Sequence, residues 1–389
     1  MMKTLKNFNF KGKRVLARCD FNVPLDERGE ISDDYRIKKT LPTIEYLIKK
    51  GAKLLLMSHL GRPEGRVVNE LRLDSIAKRL SNLLNRPVKK LDDCVGKEVK
   101  KEVERIQAGE IILLENIQFN PGENKNDPSF AKTLASYADI FIMEAFSQAH
   151  RNYASIAGIQ KYLPSAAGLL LEKEIKILSR VLEKPWRPLV VIIGGVKIST
   201  KIGVIEQFLK KADHLLLGGE VANAVLVGKG ISLGRPVLEN KEIIKKIEKI
   251  DLTNPKLHLP VDGLISLRNM TEGYFKIGAI GTVKREEKVF DIGPETIKIF
   301  SEIIKQAKMI LWSGPLGLFE EKKFEKGTKE TAESIVRNHA AFKIAGGGDT
   351  DSALLKFGLR DRFDHISTGG GAMLEFLSGE KLPGIEALK

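Results

Sequence analysis

Short, unbroken apolar runs alternate with amphipathic stretches along nearly the whole chain, and this alternation constrains the fold more than any other feature. The runs predicted as strands are residues 14–18, 54–57, 111–114 and 140–143 in the first half, and 189–193, 214–217, 309–312 and 342–345 in the second. Between them lie stretches with apolar residues at helical spacing, such as residues 36–50. Apolar strands separated by helices form a parallel sheet covered on both faces. The sequence therefore predicts an α/β fold.

The length of the chain indicates two domains, because 389 residues exceed what one hydrophobic core usually organises. Residues 169–183 predict a long helix with no strand before it, ended by Pro185 and Pro188. After these prolines the alternation restarts. We therefore predict one α/β domain over residues 1–168, an interdomain helix segment over 169–188 and a second α/β domain over 189–376. The local fold of residues 256–289 is left open.

Composition narrows the possible location and partners. No apolar stretch is long enough to span a bilayer, and residues 1–8 lack the apolar segment of a secretory signal, so we expect a cytoplasmic protein without a membrane partner. Cys19 and Cys94 lack the spacing of a disulfide framework or a zinc site. The net charge of +14 attracts either nucleic acid or small polyanions. Because no basic run interleaved with aromatic residues accompanies it, the predicted anionic partner is small and is not nucleic acid.

Three loops in the first half carry an unusual number of polar side chains, and each follows a predicted strand. These loops are residues 18–24, 58–63 and 144–151, and Arg36 begins a helix near them. The guanidinium of arginine binds carboxylate or phosphate at two points. A single arginine or histidine in such a loop is more simply a surface ion pair or a helix cap. Three such loops together favour a site for a small anion.

The second half carries glycine-rich turns typical of phosphate binding. The triplets 346–348 and 369–371 each follow a short apolar run and precede a helical pattern, which points backbone N–H groups and a helix N-terminus at a ligand. Asp349 beside the first triplet is a candidate cation ligand. Lys197 and Lys201 lie four positions apart in residues 194–201, within reach of a phosphate chain. Neither the P-loop motif nor the dinucleotide motif occurs.

These stretches, in their order along the chain, resemble the phosphoglycerate kinase family over nearly the whole length. The resemblance rests on residues 18–24, 58–63, 149–151, 194–201, 259–262, 291–295, 312–320, 346–350 and 365–375. It implies two Rossmann-like three-layer domains with parallel sheets, joined by a long helix and separated by a cleft that closes before reaction. It further implies 3-phosphoglycerate on the first domain, ATP or ADP with Mg²⁺ on the second, residues 377–389 returning to the first domain, and a monomer.

The resemblance also assigns roles to individual positions. The implied 3-phosphoglycerate site consists of Asp20, Phe21, Asn22, Arg36, His59, Leu60, Gly61, Arg62, Gln118 and Arg151. The implied nucleotide site consists of Gly195, Lys197, Lys201, Gly219, Pro315, Glu320, Gly347, Gly348, Asp349 and Thr350, with Asp349 as the Mg²⁺ ligand. The implied catalytic positions, around the group in transfer, are Arg36, Lys201, Gly348 and Gly371. The implied reaction is phosphoryl transfer between ATP and the carboxylate of 3-phosphoglycerate.

The sequence departs from the family pattern at several of these loops. Gln118 stands where the family has an arginine that holds the substrate phosphate, and Glu144 replaces an aspartate. Residues 147–148 replace smaller ones, Ser313 replaces an asparagine and Val289 replaces a glycine. A lost charged hydrogen bond of about 1.5–3 kcal/mol would weaken substrate binding by one or two orders of magnitude.

Two further hypotheses therefore accompany the first. Gln118 motivates a kinase of the same fold that phosphorylates another small carboxylate. The net charge of +14 motivates a non-catalytic nucleotide-binding protein attracted to nucleic acid, although Lys201, Asp349 and both glycine triplets argue against it.

Overall fold

The computed structural model describes residues 2–231, 233, 241–267 and 274–389. The chain divides into two compact units. Unit 1 comprises Met1–Ile177 and Lys381–Lys389, and unit 2 comprises Leu178–Glu380. Each unit is organised around its own parallel sheet, as the alternation of apolar runs and helical stretches predicts.

Unit 1 contains a six-stranded sheet in the order β3-β4-β2-β1-β5-β6, and every neighbouring pair is parallel. Its strands are β1 (Arg14–Arg18), β2 (Lys53–Met57), β3 (Lys89–Lys90), β4 (Ile111–Leu113), β5 (Ile140–Met143) and β6 (Ser165–Ala167). Its helices are α1 (Tyr35–Lys49), α2 (Asp74–Leu84), α3 (Lys97–Arg105), α4 (Pro121–Asn124), α5 (Pro128–Ala135) and α6 (Leu169–Glu183), the last of which continues into unit 2. The central strands are apolar and buried, and α1 presents Ile37, Ile44 and Leu47 to the same core.

Unit 2 contains a second six-stranded parallel sheet in the order β15-β14-β13-β7-β8-β9. The strands of unit 2 are β7 (Leu189–Ile193), β8 (His214–Leu217), β9 (Leu257–His258), β10 (Asp262–Leu267), β11 (Phe275–Ala279), β12 (Glu287–Ile292), β13 (Met309–Ser313), β14 (Phe342–Gly346) and β15 (His365–Ser367). The helices of unit 2 are α7 (Ile202–Lys211), α8 (Gly219–Gly228), α9 (Lys241–Glu248), α10 (Pro294–Gln306), α11 (Lys326–Arg337), α12 (Gly348–Lys356) and α13 (Gly371–Ser378).

The stretch whose fold the sequence leaves open forms a separate antiparallel sheet in the order β11-β10-β12. This sheet is hard to predict from the sequence because β12 buries only every second residue near its start. One of these buried residues, Val289, packs into a small apolar cluster with Ile265. Residues 268–273, which fall within the same open stretch, lie outside the described residues.

One prediction about α6 is wrong. The sequence indicates no strand before this helix, yet β6 ends one residue ahead of it and pairs with β5. The strand is only three residues long, and its side chains are small. Ala166 and Ala167 are nonetheless fully buried, because a sheet edge under a helix needs little side-chain volume. A run of Ser-Ala-Ala lacks the β-branched residues by which strands are recognised.

The segment Lys381–Lys389 belongs to unit 1 and includes the short helix α14 (Pro383–Glu386). The backbone N–H of Gly384 donates to the carbonyl of Ala149 at 2.8 Å, and the side chain of Gln160 donates to the carbonyl of Gly384 at 3.0 Å. Leu382 and Ile385 are buried. These contacts attach the segment firmly beside the loop that follows β5.

Candidate active site

A cavity of about 340 Å³ lies in unit 1 at the carboxyl ends of β1, β2, β4 and β5, and we call it the unit 1 cavity. It is lined by Asn22, His59, Gly61, Arg62, Glu64, Gln118, Asn124, Gln148, Arg151 and Tyr153. Parallel strands place their carboxyl ends at one edge, so the three polar loops predicted to form an anion site do meet here. Asn124 and Tyr153 are lining residues that the sequence did not reveal, because neither belongs to a loop that directly follows a strand.

Asp20 holds neighbouring groups of these loops in place, although it is not among the residues that line the cavity. Its carboxylate is nearly buried and accepts hydrogen bonds from the guanidinium of Arg36, the hydroxyl of Ser147 and the N–H of Asn22, the last at 3.0 Å. Burial acts to raise the pKa of Asp20, but the charge of Arg36 and the donated hydrogen bonds outweigh it, so the pKa lies below its ordinary value. Asp20 is therefore an ionised anchor that orients Arg36.

Two other arginines are available to a ligand. Arg62 and Arg151 line the unit 1 cavity and are exposed, and within the described ranges neither forms an ion pair. Gln118 is 7% exposed, and its side-chain amide makes no hydrogen bond to any residue that the structure describes. Uncompensated guanidinium groups beside an unused amide form a site suited to an anion with several oxygens.

The two histidines of these loops do not add positive charge. Burial lowers the pKa of His59 to about 3, and the neighbouring charges of Arg18, Arg36 and Arg62 act in the same direction against the attraction of Asp20. Burial, followed by the charge of Arg151, lowers the pKa of His150 to about 4. Both rings are neutral at physiological pH, so the positive charge of the cavity comes from its arginines.

Hydrogen bonds between backbone N–H groups and side chains hold the first two loops together. The side chain of Asn22 accepts a hydrogen bond from the N–H of Gly61 at 2.9 Å, and the N–H of Phe21 donates to the hydroxyl of Ser58 at 2.8 Å. The side chains of Phe21 and Leu60 belong to the apolar core. Of the residues assigned to the substrate by resemblance, these two therefore offer only their backbone.

A second cavity, of about 310 Å³, lies in unit 2 at the carboxyl ends of β7, β8, β13 and β14, and we call it the unit 2 cavity. It is lined by Gly195, Val196, Gly219, Glu220, Asn223, Pro260, Lys288, Val289, Phe290, Asp291, Ile292, Pro315, Leu316, Gly317, Leu318, Glu320 and Asp349. Five of the ten residues assigned to the nucleotide by resemblance are among them. Of the others, Lys197 and Lys201 lie between β7 and α7, Gly347 lies between β14 and α12, and Gly348 and Thr350 lie in the first turn of α12.

Lys201 is the buried cation of this site. It is 8% exposed, and its ammonium donates to the carbonyl of Gly194 and, at 3.2 Å, to that of Ser313. Burial lowers the pKa of Lys201 to about 8, although the negative charge of Asp349 opposes that shift. Lys197, in contrast, is exposed. A phosphate bound at Lys201 would give its ammonium a charged partner in place of the two backbone carbonyls.

The glycine triplets adopt the predicted arrangement of strand, glycine turn and helix. Gly347 has φ +107° and directly precedes α12, and Gly370 has φ +52° and directly precedes α13. Asp349 is exposed in the first turn of α12. The hydroxyl of buried Thr350 donates to the carbonyl of Gly346 at 3.1 Å and accepts from the N–H of Gly314 at 2.7 Å. Thr350 thus joins the loops after β13 and β14.

Of the cavity residues supplied by α8 and β12, the sequence did not single out Asn223, Lys288 and Phe290. Asp291 is 1% exposed and accepts from the N–H groups of Gly327, at 2.6 Å, and of Ile292. Burial raises the pKa of Asp291 to about 7. Pro294 starts α10. Residues 288–292 of β12 all line the cavity, so no alternation along this strand marks the residues that face it.

Several departures from the family pattern have structural partners. Glu144 is fully buried at the start of α6 and accepts from the hydroxyl of Thr43 and from the N–H groups of Leu170 and Leu171. Burial raises the pKa of Glu144 to about 8. Ser147 donates to Asp20, whereas Gln118 and Gln148 line the unit 1 cavity.

Among the described residues, no helix is long and apolar enough to cross a membrane.

Each of the two α/β units contains a parallel sheet with a cavity at its carboxyl edge. One cavity is lined by arginines, and glycine turns and a buried lysine lie at the other. Together these features define the class of the molecule as a phosphotransferase.

Comparisons with known proteins agree on the family. The profile described as Phosphoglycerate kinase matches residues 5–380. The chain is 47% identical to a phosphoglycerate kinase of Dictyoglomus turgidum and 45% identical to one of Moorella thermoacetica, each over 388 residues that cover 99% of this chain and 98% of the relative. The chain belongs to the phosphoglycerate kinase family.

Solved structures give the same result. The phosphoglycerate kinase of Coxiella burnetii superposes with a TM-score of 0.86 at 40% identity, covering 100% of this chain and 99% of the other. That of Pyrococcus horikoshii superposes with a TM-score of 0.86 at 33% identity, covering 100% and 98%.

Proposed function

We propose that the protein catalyses reversible phosphoryl transfer between ATP and the carboxylate of 3-phosphoglycerate, giving 1,3-bisphosphoglycerate and ADP, in glycolysis and gluconeogenesis. The observation that carries this proposal is the unit 1 cavity, whose two arginines and whose Gln118 amide have no side-chain partner among the described residues and suit an anion with several oxygens. Membership of the phosphoglycerate kinase family supports the same reaction.

On the acceptor side, we propose that Arg62 and Arg151 bind the phosphate of 3-phosphoglycerate and that Asn22 and His59 donate hydrogen bonds to it or to its hydroxyl. Arg36 would lie beside the reacting carboxylate. Its side chain is 32% exposed, and its ion pair with Asp20 fixes the direction of the guanidinium. Gln118 would contribute its amide in place of a third positive charge.

On the nucleotide side, the unit 2 cavity would hold the nucleoside, with Glu320 near the ribose and Gly219 and Pro315 against the base. Lys197 and Lys201 would bind phosphates. The N–H groups at the starts of α12 and α13, from Gly347, Gly348 and the 369–371 turn, would cradle the phosphate chain and the group in transfer.

Mg²⁺ is the expected companion of the nucleotide. Within the described part of the chain no cluster of three or more His, Cys, Asp or Glu side chains could hold a metal by itself. Asp349 lines the unit 2 cavity as an exposed single carboxylate, and Mg²⁺ is commonly bound by one carboxylate together with substrate phosphates. When bound, the ion would neutralise phosphate charge.

The chemistry requires no covalent protein intermediate. The carboxylate oxygen of the acceptor attacks the terminal phosphorus of ATP, the bond from that phosphorus to the oxygen shared with the β-phosphate breaks, and ADP leaves. The protein would position the two partners and neutralise the charge that spreads over the transferred phosphoryl group. Arg36 and Lys201 would supply that positive charge, each worth a few kcal/mol by analogy with other charge-stabilising donors, about 2.7–4 kcal/mol.

A steady-state assay with MgATP and 3-phosphoglycerate tests the proposal, with product detected by a coupled reductive step. We expect saturable turnover that disappears in the variant Lys201→Met, which excludes a contaminating kinase. Binding of ATP without turnover on 3-phosphoglycerate would contradict the proposal.

The uncharged polar side chains of the unit 1 cavity favour one alternative acceptor class. Gln118, Gln148 and Tyr153 line the cavity where a third cation would stand in an arginine-rich site. A small carboxylate with a less charged distal group fits that lining. A panel of small carboxylates assayed beside 3-phosphoglycerate, with the parent and Gln118→Arg, distinguishes the two acceptors, since the alternative predicts that only the variant prefers 3-phosphoglycerate.

We further propose that the protein acts as a cytoplasmic monomer. Cys19 and Cys94 are both free and buried, which suits a reducing compartment. Light scattering coupled to size exclusion should give a mass near 43.3 kDa, and a mass twice as large would contradict the monomer.

A further inference from the structure

Arg18 is a cation that the proposed mechanism does not use. It ends β1 beside the unit 1 cavity, yet it is fully buried. Its Nε donates to the hydroxyl of Ser155 at 2.9 Å, and its Nη1 donates to the carbonyl of Cys19. Burial lowers the pKa of Arg18, and nearby Glu123 opposes that shift. A buried guanidinium with this many directed bonds has one orientation.

Glu123 balances this charge through Ser155. Its carboxylate is fully buried and accepts both from the N–H of Ser155 at 2.9 Å and from the Ser155 hydroxyl at 2.5 Å. The hydroxyl of Ser155 therefore accepts from Arg18 and donates to Glu123. The result is a buried chain of hydrogen bonds from Arg18 through Ser155 to Glu123.

The other end of this chain is the ring of His59. Nη2 of Arg18 lies 3.4 Å from Nδ1 of His59, whereas Oδ1 of Asp20 lies 4.0 Å from the same nitrogen, beyond hydrogen-bond distance. This Oδ1 already accepts from the N–H of Asn22 at 3.0 Å, and the other oxygen of Asp20 accepts from Arg36 and Ser147. A guanidinium has donors and no acceptor, so Nδ1 of a ring that it contacts must accept. In a neutral imidazole the single proton then resides on Nε2.

We propose that Arg18 is a positioning residue that holds His59 in the Nε2–H tautomer, so that this neutral ring donates a hydrogen bond to the anionic acceptor in the unit 1 cavity. Only the identity of the acceptor rests on the proposed function. His59 lines the cavity, and its Nε2 makes no hydrogen bond to any described residue. The proposal explains how a histidine without charge assists anion binding: a preset donor needs no reorientation when the anion arrives.

The opposite tautomer would have the opposite effect. With the proton on Nδ1 and directed towards Asp20, Nε2 would present a lone pair to an anion, and the ring would repel it. A purely structural Glu123, Ser155 and Arg18 network, in contrast, would leave the tautomer of His59 undetermined. These three cases differ in one observable, the protonation of the two nitrogens of a single ring.

The direct test is ¹⁵N NMR of the full-length protein labelled at histidine, of which it has six, with His59 assigned by its loss in His59→Gln. We expect a protonated Nε2 and an unprotonated Nδ1 for His59, both in the free protein and with 3-phosphoglycerate. A protonated Nδ1 would overturn the proposal. Because the free protein is measured, this outcome does not depend on which acceptor is phosphorylated.

A double variant tests whether Arg18 is the cause. Arg18→Met with Glu123→Gln removes both buried charges and leaves neither uncompensated, and Glu123→Gln alone is its control. We expect the double variant to lose the uniform Nε2–H signal of His59 and to raise KM for 3-phosphoglycerate about tenfold, with KM for ATP unchanged. An unchanged tautomer in a folded double variant would overturn the role of Arg18.

A second pair of variants applies even if the double variant does not fold. The amide nitrogen of Gln superposes on Nε2 of histidine, and that of Asn superposes on Nδ1. We expect His59→Gln to stay within about threefold of the parent in KM for 3-phosphoglycerate and His59→Asn to lose about tenfold or more. Equal losses in both variants would overturn the proposal, whereas failure of the proposed function would instead abolish turnover in the parent itself.

Discussion

The two cavities are built from different parts of the polypeptide. In the unit 1 cavity the ligand-facing groups are side chains, such as Arg62, Gln118 and Arg151. The unit 2 site depends on glycine backbone, and a Cβ added at Gly194 or Gly314 would collide with the backbone of the facing loop. A side-chain site changes its chemistry through one substitution, whereas a backbone site loses its shape.

The largest effect is expected from Gly314→Ala, which would break the backbone site. Gly314 has φ +95°, and a Cβ there would meet the carbonyl of Gly194 and the ammonium of Lys201. Strain and overpacking together should lower the free energy of unfolding by about 3 kcal/mol or more and abolish nucleotide binding. Denaturant unfolding and calorimetric titration with ATP measure the two effects. Near-parental ATP affinity would show that backbone shape is not what the unit 2 site depends on.

Gly109→Ala is the matched control for this prediction. Gly109 has φ +86°, similar to that of Gly314, but no atom lies within 4 Å of an added Cβ. The variant should lose only about 1 kcal/mol of unfolding free energy and keep its affinity for ATP.

The next effect is expected in the side-chain site. Arg36→Gln removes the charge beside the reacting carboxylate and leaves Asp20 buried without its principal partner. We expect kcat/KM for 3-phosphoglycerate to fall about 100- to 1,000-fold. The control is Arg66→Gln, since the ion pair of Arg66 with Glu64, at 3.8 Å, joins two exposed side chains and should contribute almost nothing. Comparable losses in both variants would mean that net charge, rather than position, governs acceptor binding.

Tighter binding of 3-phosphoglycerate is expected when a positive charge is added to the unit 1 cavity. Gln118→Arg should lower KM for 3-phosphoglycerate about tenfold, because a charged hydrogen bond replaces an amide contact. KM for ATP should stay constant. Gln306→Arg adds the same charge on an exposed helix of unit 2 and should change neither constant. An unchanged KM for 3-phosphoglycerate in Gln118→Arg would indicate that the acceptor does not contact this position.

The smallest effect is a proton taken up by the unit 2 site. At its pKa of about 8, half of Lys201 is neutral in the free protein, and a bound phosphate favours the charged form. Binding of ATP at pH 8 should therefore consume up to about half a proton, and affinity should decline as pH rises further. Calorimetry in buffers of different ionisation enthalpy measures this uptake. Lys201→Arg, which remains charged, should abolish it, and equal uptake in that variant would assign the proton elsewhere.

The parallel sheets were predictable because their strands are apolar on both faces. The runs at 14–18, 140–143, 189–193 and 214–217 coincide with β1, β5, β7 and β8. The strands that the sequence missed have weaker patterns. The strand β6 is made of small residues, β11 has no buried residue, and β12 alternates between buried and partly exposed positions near its start. Local sequence shows periodicity, but it does not show which short segment a neighbouring strand will recruit.

The candidate site was predictable where function depends on residues at strand ends. The site was less predictable where burial changes the chemistry of a residue. The neutrality of His59 follows from its removal from water, and the hydroxyl of Thr350 is used to join two loops. Both depend on contacts between segments far apart in the chain. The roles assigned to individual site residues stay predictions until the variants above are measured.

The return of Lys381–Lys389 to unit 1 has a consequence for the order of synthesis. Unit 2 is one continuous stretch of chain, whereas unit 1 is completed by a segment that is translated after all of unit 2. Domains begin to fold while the ribosome is still elongating the chain. Unit 1 can therefore reach its final packing only after the whole of unit 2 has been translated, although the synthesis of unit 1 starts first.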